Sequence, residues 1–93
     1  MSQEQDELIA EAELGEDARK FLESDLGKCL IGMAEQDALI AQQALATVDP
    51  HNWIKIVELQ NKAQLAAYFK QYLAELVHRG NNALQVFVQQ RGN

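Results

Sequence analysis

The sequence is poor in nearly everything that punctuates or cross-links a chain. It has 93 residues with one proline, Pro50, and one cysteine, Cys29. A single cysteine cannot close an internal disulfide. No run of eighteen apolar residues occurs, so no membrane-spanning helix is expected. The five glycines are isolated and form no phosphate-cradling loop. Ser2 and Ser24 are the only serines, and neither sits in a nucleophile-elbow pattern. His51 and His78 stand 27 residues apart, and no HxxH, CxxC or HExxH spacing is present. These absences leave no metal, cofactor or catalytic constellation to name, and the expectation is a protein that is not an enzyme. Met1 to Asp17 is acidic and polar, without the basic start and apolar middle of a secretory leader. With the lone cysteine, this points to a reducing cytoplasm.

Charge is unevenly placed. Residues 1–25 carry nine acids against Arg19 and Lys20, a net −7, whereas residues 26–93 carry five acids and six bases, a net +1. The cations Lys28, Lys55, Lys62, Lys70, Arg79 and Arg91 are scattered. A protein that grips phosphates needs them gathered, so nucleic acid is an unfavoured partner. Glu4, Asp6, Glu7, Glu11 and Glu13 form the acidic part of an arm over residues 1–15. It is read as a solubilising end, as a docking arm for a basic protein, or as a DNA mimic whose carboxylates stand in for phosphates, the last opposed by the nearly neutral body.

What is abundant is alanine, leucine, glutamine and glutamate, all helix formers. The expected fold is all-α, a single helical domain over 1–93. Its centre is an antiparallel hairpin of two long helices, about 17–47 and 50–79, with short helical segments at each end. Ser2 and Gln5 match a weak capping box opening the first segment. In the first long helix Ala18, Leu22, Leu26, Cys29, Leu30, Met33, Ile40, Ala44 and Val48 share one apolar stripe. Cys29 is accordingly read as a small core residue. Asp37 falls inside that stripe, at its wet edge or opposite a lysine or tyrosine of the facing helix. Gly27 and Gly32 are weak spots or points of close helix approach. Asp49 is the expected N-cap and Pro50 the first residue of the second helix. Gly80-Asn81-Asn82 is the expected stop. On that reading His51 and His78 are structural residues at the two helix ends. Residues 83–90 fit a strand through Leu84, Val86 and Val88, or a helix through Leu84, Phe87 and Val88, and are read as a short third helix.

The second helix has two apolar sides. Ile56, Leu59, Ala63, Ala66, Ala67, Leu73, Ala74 and Val77 make one. Ile54, Leu65, Tyr68, Phe69, Tyr72 and Leu76 make the other. One neighbouring helix cannot cover both. Leu65, Tyr68, Phe69, Tyr72 and Leu76 are therefore the candidate interface, toward a second copy or another protein, because aromatic residues are enriched at interface cores. A thin hairpin has a poor surface-to-volume ratio, so a homo-oligomeric bundle, dimer or larger, is expected. Trp53 either packs over the hairpin end or is a contact residue.

From Phe21 to Val77 the segments FLESDLG, VDP and LQN resemble small helical proteins of tailed bacteriophages and prophages. The resemblance implies a phage product in the cytoplasm of a bacterial host, either associated with the virion or acting on a protein. It implies no functional residue. The function expected is non-enzymatic protein–protein interaction: a phage accessory or structural protein, or alternatively an inhibitor that blocks a host enzyme or defence complex.

Overall fold

The computed structural model describes residues 2–92. Among these the chain forms three α-helices and no strand: α1 (Gln3–Glu23), α2 (Asp25–Leu45) and α3 (Trp53–Gly92). The all-α expectation holds, but the helix boundaries differ from those expected, and each difference has a local cause.

The stretch expected to be a short leading segment is the first half of a 21-residue helix. Ser2 opens it, its Oγ accepting from the Gln5 backbone N–H at 3.2 Å and its carbonyl accepting from the Asp6 N–H. Glu4 and Asp6 lie in the first turn, where the helix dipole is positive. The expected helix over 17–47 is interrupted at Ser24, which is extended (φ −74°, ψ 154°). Its hydroxyl donates to the Phe21 carbonyl at 2.7 Å, and its N–H donates to the same oxygen. A serine that satisfies its own helix end competes with continuation, and Asp25 then starts α2 at a favourable dipole position.

The start of α3 is also three residues later than expected. Asp49 caps the turn rather than the helix: its Oδ1 accepts from the His51 N–H at 2.9 Å and its carbonyl from the Asn52 N–H. The helix cap is Asn52, whose Oδ1 accepts from the Lys55 N–H. Pro50 therefore sits in the turn and Trp53 is the first residue of α3. At the other end Gly80-Asn81-Asn82 does not stop the helix. No glycine has positive φ, so the left-handed stop is not formed, and residues 83–90 continue α3 instead of making a third segment of their own. His78 consequently lies inside α3, its Nε2 3.3 Å from Asn82 Nδ2, and not at a helix end.

The chain divides into two compact units of similar size. The first contains α1 and the later part of α3, from Gln71. The Gln90 Nε2 donates to Glu4 Oε1, while Gly15 meets Gly80, so the two helices run antiparallel. Their seam is made of small residues: Gly15, Ala18, Gly80 and Ala83 are its buried positions. The second unit spans Asp25–Lys70, with α2 folded back on the early part of α3. Its buried residues are Gly27, Ala38, Ala41, Leu59 and Ala66, and the alanines with Leu59 make the seam. Lys70 and Glu35 form an ion pair across it at 3.2 Å.

Candidate functional site

Three surfaces can be built from the residues upward. In the first unit, Gly15 and Gly80 face each other. A Cβ on Gly15 would lie 2.7 Å from the Gly80 Cα and 2.8 Å from the Leu76 carbonyl oxygen. A Cβ on Gly80 would lie 2.7 Å from the Gly15 Cα and 3.2 Å from the Glu11 carbonyl. The two backbones are in contact, and only glycine permits it. This closeness leaves a groove of about 380 Å³ beside the seam, lined by Leu8, Ile9, Ala12, Val77, Leu84 and Phe87, with Glu13, Glu16, Arg19 and Asn81 at its margin. Arg19 is held by Glu16, through both its Nε and its Nη2, and by Glu23 at 2.8 Å. The hydrogen bond from Arg19 draws Glu16 below the usual carboxylate range, aided by the charges of Arg19 and Lys20. Arg91 lies over the Phe87 ring at 5.7 Å, within cation–π reach.

Sequence reasoning missed this pair. Gly27 and Gly32 were expected to be points of close approach or weak spots. Gly27 is buried, but nothing lies within 4 Å of a Cβ at Gly32. The legible signal was a repeated spacing: Gly15 and Ala18, Gly80 and Ala83, each a pair of small residues three apart on one helix face.

The second and third surfaces flank the α2–α3 seam of the second unit. One groove, about 320 Å³, is lined by Ala34, Asp37, Ile40, Ala41, Leu59, Lys62 and Leu65. The other contains Glu35, Ala38, Leu39, Gln42, Ala63, Ala66, Ala67 and Lys70. The stripe expected to form the core of the first long helix lies largely outside the seam. Leu26, Leu30, Met33 and Ile40 are exposed, Met33 by 60 %. Cys29 is exposed as well. The reason is steric: the seam is closed by Ala38 and Ala41, one shoulder round the helix, and large side chains do not fit where backbones come that close. Asp37 is exposed, as the wet-edge alternative has it, at a groove that also holds Lys62, and among the described residues no ion pair joins the two.

The two sides of α3 separate as their composition implies. Ile56, Leu59, Ala63, Ala66, Leu73 and Val77 are buried or half-buried, whereas Ala67 and Ala74, expected on the same side, lie at its rim and are exposed. Ile54, Leu65, Tyr68, Phe69 and Tyr72 are exposed, Leu65 by 64 % and Tyr72 by 61 %, while Leu76 is half-buried. The Tyr68 hydroxyl donates to Gln64 Oε1 one turn away. Trp53 is exposed. Of the acidic residues, Glu4, Asp6, Glu7 and Glu13 are exposed on α1 and Glu11 is half-buried. Glu7 accepts from Gln3, and Glu4 from Gln90.

His51 is exposed and its Nδ1 lies 3.3 Å from Asp49 Oδ1. Among the described residues no three His, Cys, Asp or Glu side chains gather as metal ligands, and no helix is long and apolar enough to cross a membrane. The geometry offers helix faces and shallow apolar grooves, which recognise other helices. No protein-family model, curated protein or solved structure matches the chain.

Proposed function

We propose that the protein works through its helix surfaces, as a non-enzymatic protein–protein interaction protein that self-associates. The observation that carries this reading is the exposed apolar side of α3. Leu65, Tyr68, Phe69 and Tyr72 stay exposed although the opposite side of the same helix is packed. Apolar patches of this kind mark interaction sites. The resemblance to small phage proteins supplies the setting, an accessory or structural protein of the particle or of its assembly.

The test is solution mass by light scattering over a wide concentration range. The chain is expected to associate. Tyr68→Ala combined with Tyr72→Ala should weaken association more than Glu4→Ala combined with Glu7→Ala. Equal, negligible effects would remove the aromatic side from consideration. A particle component should also appear in purified virions at a fixed copy number. Absence from virions together with specific capture of one host protein would favour the inhibitor reading instead.

A further inference from the structure

The two grooves beside the α2–α3 seam differ in a way that identifies an occupant for one of them. On one side the opposite charges are paired across the seam, Lys70 on Glu35, and the apolar lining is mainly alanine. On the other side Asp37 on α2 and Lys62 on α3 line the same groove. Both are exposed, and among the described residues no ion pair joins them. Around them stand the large exposed side chains Leu30, Met33, Ile40 and Leu65. Leu30, Met33, Asp37 and Ile40 follow one another at helical three- and four-residue steps, so they form one shoulder of α2. Lys62 and Leu65 form the matching shoulder of α3.

We infer that this face docks a second copy of the same face about a twofold axis running along the groove, with Asp37 of each copy against Lys62 of the other. The inference rests on the self-association proposed above: it shares Leu65 with the exposed side of α3, adds the shoulder of α2 to it and assigns a register. A twofold interface must be self-complementary. An axis along the groove lays α2 of one copy on α3 of the other, so each acid meets a base and every neighbouring helix is antiparallel, as in a four-helix bundle. An axis across the groove would set Asp37 against Asp37 and Lys62 against Lys62, which the charges oppose.

Sedimentation equilibrium of the full chain, with helix content of every variant checked by circular dichroism, tests the assignment. Asp37→Lys and Lys62→Asp should each weaken the dimer by about tenfold or more, since each places two like-charged pairs in the interface. An equimolar mixture of the two variants should restore a one-to-one dimer, and so should both changes in one chain. Rescue on mixing cannot come from misfolded variants or from an ion pair within one chain. If the wild type dimerises and both reversals leave its mass unchanged, self-association stands and this face is overturned. If the reversals weaken the dimer but mixing fails to restore it, the Asp37–Lys62 register is overturned. A wild type that stays monomeric into the high micromolar range overturns both readings and leaves the face to a different protein.

Discussion

The same helix, α3, is packed by two different chemistries along its length. In the later half its partner is α1, and the seam is a glycine pair with backbone touching backbone. In the early half its partner is α2, and the seam is mostly alanine. The two units are nearly equal in length, yet of the sixteen large apolar side chains that remain exposed, eleven lie within 25–70 and five elsewhere. In the first unit, side chains such as Leu8, Val77 and Phe87 wall a groove and are half-buried. In the second, Leu26, Leu30, Met33 and Ile40 ride outward on the shoulder of α2. Small-residue seams bring helices close but bury little apolar area per residue. The second unit therefore carries most of the exposed apolar side chains, and the first carries most of the acid.

The largest effect that would sharpen this contrast is Leu59→Ala. Leu59 is the one large side chain buried in the α2–α3 seam, 8 % exposed. Its loss should cost about 2–5 kcal/mol, with hydrogen-exchange protection falling on α2 before α1. Gly80→Ala should act in the opposite place. Its Cβ meets backbone, which cannot move aside as a flexible side chain can. An overpacking cost of about 1–3 kcal/mol outweighs the ~1 kcal/mol gain in helix propensity. A midpoint lower by several °C is expected, with protection falling first on α1. Equal losses on α1 and α2 from both variants would dissolve the distinction between the units. Gly32→Ala, with open space around it, should raise the midpoint by up to ~1 kcal/mol equivalent.

Smaller effects follow at exposed positions. Cys29→Ser should change stability by less than about 0.5 kcal/mol, because the thiol is exposed and no hydroxyl is buried. A cost of several times that, by chemical denaturation, would return Cys29 to the core. Glu16 is held below its ordinary value of 4.5 chiefly by the Arg19 hydrogen bond. A depressed folded-state value stabilises above the unfolded value and is lost as pH falls through the folded one. The contribution should thus be full at neutral pH and fade below about 4.5. Arg19→Gln should move the Glu16 titration, followed by NMR, up toward the ordinary value.

Helical class, the Ser2 cap, the turn near Val48–Asn52 and the two-sidedness of α3 were legible from residue order because each depends on neighbours within a few positions. Ser24 was harder. Its competing bond to Phe21 is local, but serine inside a helix is equally compatible with continuation, and the surrounding stripe ran straight through it. Gly80 was misread for a related reason. Glycine followed by asparagines suits a stop as well as a close crossing, and only the presence of Gly15 opposite selects between them. The apolar stripe of α2 was correctly located and wrongly buried, since periodicity finds an apolar face without telling whether a neighbour within the chain covers it.

What residue order by itself determined is therefore the helical backbone and the faces each helix presents, through propensity, capping and the 3.6-residue repeat. Tertiary structure decided which small residues become the seams and which apolar shoulders are left open. Those choices depend on pairs such as Gly15 and Gly80, or Glu35 and Lys70, that lie far apart in the chain. Their contact is a matter of backbone distance and steric fit, which no local pattern encodes.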